Sequence, residues 1–206
     1  METLIHERTG VGVHQRRKIF ELRNQYTLTD EAGIQIGAVE QVDQSRFHFL
    51  ARLFSDLDVS MPVMLSVTEA DGREVLRLRK RWFRFAVTIS TGDGTLLGTV
   101  TKRVRLGKAR FTVTGRDGQP LGQLWAANWR AKDFRFEDPN GSELARVTKQ
   151  WRGLVTEAFT DADSYVVTFS PTADDDLRSL ALGASFAVDL TMKQKDYGGP
   201  LDLIDI

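Results

Sequence analysis

With 206 residues, 41% of them apolar and 27% charged, the chain has enough apolar material for a sizeable core and is read as one soluble globular domain, or at most two small ones. It contains no cysteine, which rules out disulfides, thiolate metal sites, thiol nucleophiles and cysteine acylation. Net charge is zero but unevenly spread: Arg73 to Arg110 holds eleven bases against Glu74 and Asp93, while Thr156 to Ile206 holds ten acids against Arg178, Lys193 and Lys195.

Residues 1–10 are polar and lack the apolar stretch of a secretion signal. They are expected to be flexible, and the cytoplasm is the default compartment. The body of the fold is expected over residues 11–195. From Val11 the chain alternates, and then one unit recurs: a strand, a short turn ending in glycine, and a second strand. Its copies are Tyr26–Gly37, Leu65–Leu76, Ala86–Gly98, Phe111–Gly122 and Phe134–Ala145. Asp-Gly or Asn-Gly between alternating apolar runs is a strong hairpin signal, and five hairpins in series make a meander. The turn glycines Gly72, Gly94, Gly118 and Gly141 follow one another at 22, 24 and 23 residues. A propeller blade needs about 40 residues, so that architecture fits poorly. A further strand pair is expected at Leu154–Phe159 and Tyr165–Phe169, and Ser170-Pro171-Thr172 then breaks the strand.

Asp174–Lys193 is the one long segment of helical character, opened by three acids, rich in Ala and Leu, and closed by Lys193. Leu177, Ala181, Ala184 and Val188 fall on one side, with Leu182 and Phe186 nearly opposite. A helix that is apolar nearly all round belongs inside something. A bilayer span needs about 20 mostly apolar residues, and this run is shorter and carries Arg178 and Asp189. The strands must therefore supply the container. A closed antiparallel barrel of about ten to twelve strands leaves room for one helix and has no open edges. Residues 196–206, with Gly198-Gly199-Pro200, are expected to leave the body of the fold.

The basic belt is the most functional-looking feature. Along Leu76–Phe85, alternation places Leu76, Leu78, Phe83 and Phe85 inside, with Arg77, Arg79, Trp82 and Arg84 outside. Lys102, Arg103, Arg105, Lys108 and Arg110 follow on the next hairpin. Guanidinium forks beside an exposed aromatic ring suit lipid phosphate or another polyanion. Arg77, Arg79, Lys80, Arg81, Arg84, Lys102, Arg103 and Arg105 are therefore the candidate lipid or phosphate ligands. The competing reading is a solvated exterior paired with the chain's own acids. Nucleic acid would suit the same charges, but net neutrality and the lack of a recognised module argue against it. Trp82, Trp125, Trp129 and Trp151 could offer stacking faces, but most of the tryptophans are better explained as strand residues packing the barrel. His6, His14 and His48 are isolated and no nucleophile or phosphate-loop motif occurs, so no catalytic residue, metal or cofactor is expected. Asp189, deep in the helix, needs a partner if buried, and a structural hydrogen bond is expected there.

The run Asp-Ala-Asp-Ser-Tyr-Val-Val-Thr-Phe-Ser-Pro from Asp161, the acidic helix start, and Leu-Gly-Ala-Ser-Phe-Ala-Val-Asp from Leu182 together carry a resemblance. They resemble the C-terminal signature of phospholipid scramblase-like proteins, within the wider tubby-like group that includes the plant LURP-one-related proteins. Lys18–Tyr26 and the Asp-Gly hairpins extend the resemblance to roughly Val11–Lys195. It implies a barrel of about twelve strands threaded by a hydrophobic C-terminal helix, in agreement with the reading above. It also implies a non-enzymatic protein meeting anionic phospholipid at the inner face of the plasma membrane, with scrambling as a candidate activity and a protein as a second candidate partner. The chain departs from the membrane-active animal members, which carry a proline-rich N-terminus and a palmitoylated cysteine cluster. Of their proposed calcium loop, Asp161 and Asp163 are kept, but Val166 stands at the glycine position and Pro171 or Thr172 at the closing acid. A calcium loop needs that glycine turn and terminal carboxylate, so the two aspartates are read as capping a tight turn. The alternative of a different class is a soluble binding or scaffold module for a protein or small ligand, with no membrane role.

Overall fold

The computed structural model describes residues 8–15, 25–42, 62–81, 85–105, 108–128, 133–148 and 164–192. Twelve strands follow one another before the helix: β1 (Gly10–Gln15), β2 (Gln25–Thr29), β3 (Gln35–Val42), β4 (Val63–Glu69), β5 (Glu74–Lys80) and β6 (Ala86–Thr91). They continue with β7 (Leu96–Arg105), β8 (Lys108–Gly115), β9 (Pro120–Asn128), β10 (Asp133–Glu137), β11 (Glu143–Thr148) and β12 (Ser164–Phe169). Each pairs antiparallel with its sequence neighbour, and β1 pairs with β12, so the meander closes into a barrel. Closure matters physically because it leaves no unpaired edge. Leu154–Phe159 and the chain termini, residues 1–7 and 193–206, lie outside the described residues.

Five hairpins, β2/β3, β4/β5, β6/β7, β8/β9 and β10/β11, share one turn. The glycine N–H donates to the carbonyl three residues earlier, as in Gly94 to Thr91 at 2.9 Å and Gly118 to Gly115 at 3.0 Å. The glycine then takes a left-handed φ, 92° at Gly94 and 78° at Gly118, and the ladder slips by one residue beside it. This is a type I turn closed by a bulge, one residue longer than a two-residue Asp-Gly turn, and its fourth position requires φ above zero. The aspartate before the glycine secures the bend: Asp71, Asp93 and Asp117 accept the backbone N–H of Arg73, Thr95 and Gln119 through Oδ1.

α1 (Asp175–Met192) fills the barrel. Asp174 caps it, with Oδ1 accepting the Leu177 N–H at 2.8 Å, and Asp175 and Asp176 complement the positive end of the dipole. Leu180, Leu182, Ala184, Phe186, Ala187 and Val188 are all at most 2% exposed, although Leu182 and Phe186 lie on the opposite side of the axis from the others. They meet an inward layer of Leu65, Leu78, Ile89, Val100, Val113 and Val167. Two glycines set the spacing between wall and helix: a Cβ on Gly183 would come within 2.8 Å of Ile89, and one on Gly98 within 3.1 Å of Leu180. The all-round apolar helix and the strand container are thus one core, as the sequence requires.

Candidate functional site

β12 ends beside the glycine turns and leads straight into α1, so the helix starts at the turn end of the barrel and finishes at the far rim. That layout sorts the charges. The five glycine turns and the helix start carry ten carboxylates, among them Asp30, Asp71, Asp117 and Asp174–Asp176, against Arg73, Arg116 and Arg178, with Arg8 paired to Asp30 beside them. At the far rim, the sector formed by β5 to β8 carries Arg79, Lys80, Arg81, Lys102, Arg103, Arg105, Lys108 and Arg110, with no acid among its described residues. In this sector the bases therefore lie at the rim opposite the acidic turns, while elsewhere on the far rim Glu40 and Asp133 add acids.

The rim cations divide into three groups by the direction in which they point. Arg79, Arg81, Arg103 and Arg110 are exposed, and among the described residues no carboxylate pairs with them. Lys80 and Lys102 turn inward, which corrects their place in the outward belt. Lys80 follows Leu76 and Leu78 on the inner register, opposite Val63 and Val87, and is 2% exposed. Lys102 is half-buried and donates its Nζ proton to the Thr191 carbonyl at 2.9 Å, at the last turn of α1. That turn holds no basic residue of its own among the described residues, so the wall supplies the cation that the helix C-terminus favours. Lys193, expected to close the helix, lies outside the described residues.

Arg77 forms the third group. Its Nε lies 3.1 Å from Glu74, its Nη2 bonds the same carboxylate, and Ser66 Oγ donates to it at 2.8 Å. The Arg77 guanidinium holds the Glu74 carboxyl below the usual carboxylate range. Arg77 is therefore spent on a neighbour rather than offered to a ligand. Arg84 and Trp82 lie outside the described residues. Arg105 closes β7, and its side chain is outside them too. Phe85, expected inside, is 55% exposed: β5 ends at Lys80, so its alternation does not run on to residue 85, and Phe85 instead accepts the Lys102 N–H just before β6.

Register exposes a feature that the sequence reading passed over. On the outer face Arg103 pairs directly with Arg110, Trp125 with Arg135, and Arg135 with Arg146. The Arg110 guanidinium stacks 3.9 Å from the centre of the Trp125 ring, joining the two halves of the row. Trp125, one of four tryptophans most of which are expected to pack the barrel, is 36% exposed on the outside. No spacing in the sequence flags this row, because its members come from five different strands.

Inside the rim, Tyr26 Oη donates to Asp189 at 2.5 Å, giving the helix carboxylate the structural partner expected of it. Tyr165 is buried beside this pair. Its burial, with Asp189 nearby, pushes the phenol well above its ordinary range, and Ser185 opposes the shift. Among the described residues no group of three or more His, Asp or Glu could hold a metal, and Asp161 and Asp163 lie outside them. No described helix is long and apolar enough to cross a membrane.

The Scramblase family model matches residues 14–194. Phospholipid scramblase 1 of Mus musculus is 27% identical over 201 residues, covering 86% of this chain and 58% of that protein. Phospholipid scramblase 2 of Homo sapiens is 27% identical over 147 residues, covering 63% of this chain and 49% of that protein. The chain thus spans about half the length of such relatives. A solved structure of an Arabidopsis thaliana protein superposes with a TM-score of 0.52 at 15% identity, covering 92% of this chain and 97% of that one, so the two share a fold.

Proposed function

Because the chain belongs to the scramblase family, we propose that it is a peripheral, non-enzymatic lipid-contacting barrel whose basic rim meets anionic phospholipid headgroups while its acidic turn end faces away. The observation that carries this reading is the basic rim of β5 to β8, which holds no acid among its described residues and lies opposite the acid-rich turns. A base near an anionic leaflet contributes about 1 kcal/mol, so the four exposed and uncompensated arginines give about 4 kcal/mol, roughly a thousandfold preference for anionic over neutral membrane. The cytoplasmic face, where anionic lipids concentrate, is the matching location. Lipid contact is proposed rather than flipping by the barrel itself, because its one described helix is sealed in the core and offers no path for a headgroup across a bilayer. A small-ligand carrier is disfavoured by the same packing, since α1 occupies the interior.

Co-sedimentation of the full chain with phosphatidylcholine vesicles, with and without phosphatidylserine, tests the reading. Binding should require phosphatidylserine and weaken steeply with salt, because exposed charges are screened over about 10 Å at 0.1 M. Failure to bind the anionic vesicles would remove the proposal.

A further inference from the structure

Among the described residues two pairs of arginines sit directly opposite each other on the outer face, and they are treated differently. Like charges facing across a strand pair are destabilising, because their side chains start only about 5 Å apart. Arg135 and Arg146 form one such pair, and it is compensated: Arg146 lies 3.3 Å from Asp133 and 3.8 Å from Glu143, and Arg135 lies 3.9 Å from Glu143. Arg103 and Arg110 form the other, and among the described residues no carboxylate meets either. What Arg110 has instead is the Trp125 ring, which offsets its charge only weakly and leaves both guanidinium forks open to an incoming anion.

We propose that Arg103, Arg110 and Trp125 form the seat for a lipid phosphate at a membrane surface, the two guanidinium forks clamping the phosphodiester while the indole settles at headgroup depth. Paired arginines suit a phosphate because each fork matches two oxygens of the tetrahedral group. Indole rings favour the membrane–water interface, since one edge is polar and the body apolar. A bound phosphate supplies to this pair what Asp133 and Glu143 supply to the other, so repulsion in the free protein becomes affinity in the bound one. A membrane is preferred over free phosphate because the exposed indole gives a soluble anion nothing further. The inference rests on the lipid-contacting reading above and assigns it a particular face.

The test compares wild type with Arg103→Gln/Arg110→Gln and with Trp125→Phe, using phosphatidylcholine vesicles with and without phosphatidylserine, and inorganic phosphate as the soluble arm. The double variant should lose about thirtyfold in affinity for anionic vesicles, as expected for two bases near the surface, while its thermal midpoint in anion-free buffer stays level or rises as repulsion is removed. Quenching of tryptophan emission by brominated lipid should fall in Trp125→Phe. If the double variant binds anionic vesicles as wild type does while Arg79→Glu/Arg81→Glu loses binding, the seat is wrong and the lipid-contacting reading stands. If wild type ignores anionic vesicles, both are wrong. A saturable response to inorganic phosphate that the double variant loses, with vesicle affinity unchanged, would overturn the membrane assignment in favour of a soluble phosphate compound.

Discussion

Replacing Lys102 by methionine keeps most of the apolar stem and removes the charge that caps α1. Two terms are lost. The hydrogen bond from Nζ to the Thr191 carbonyl is charge-assisted, and such bonds contribute about 1.5–3 kcal/mol when partly buried. The interaction of the cation with the helix dipole adds up to about 2 kcal/mol in partly buried geometry but overlaps with the first, so about 2 kcal/mol is a fair total. In a chain of this size each kcal/mol moves the thermal midpoint by about 2–4 °C, which puts the expected drop near 4–8 °C. Differential scanning calorimetry or circular dichroism at 222 nm reads that drop, and vesicle co-sedimentation below the transition should be unchanged. The reverse pattern, an unchanged midpoint with weakened vesicle binding, would mean that Lys102 faces lipid rather than the helix, and the division of the rim into inward and outward cations would fail.

Two glycine substitutions should destabilise for different reasons. Gly183→Val drives methyl groups into Ile89, which is fully buried and cannot retreat, at a cost of about 1–3 kcal/mol in chemical denaturation. Gly94→Ala meets nothing within 4 Å but forces a left-handed φ on a residue with a Cβ, at about 1–2 kcal/mol. Alkaline pH tests the buried phenol. Tyr165 holds its proton more tightly in the folded state than in the unfolded, so its contribution is complete below the ordinary tyrosine pKa of about 10 and is lost as pH rises through the higher folded value. The difference in absorbance at 295 nm between wild type and Tyr165→Phe should appear only as the barrel unfolds, and Tyr165→Phe should flatten the alkaline loss of stability. A Tyr165 that titrates in the intact fold would contradict its burial.

What the sequence determines here is whatever depends on neighbours along the chain. Asp71-Gly72, Asp93-Gly94, Asp117-Gly118 and Asn140-Gly141 mark turns because a bulge of this kind needs φ above zero, and that need is local. Alternation separates Leu76 and Leu78 from Arg77 and Arg79 because successive strand residues point to opposite faces. The apolar girth of α1 declares its burial because a helix has no sheltered side unless something surrounds it. The sequence could not show which cations face each other or which way the rim lysines turn. Closure through β1 and β12, the pairing of Arg103 with Arg110, and the reach of Lys102 to Thr191 all join residues set by register across strands and by the height of the helix within the barrel. Bulges shift that register by whole residues. A list of charges in chain order therefore becomes a basic rim with one uncompensated arginine pair only once the barrel has closed around its helix.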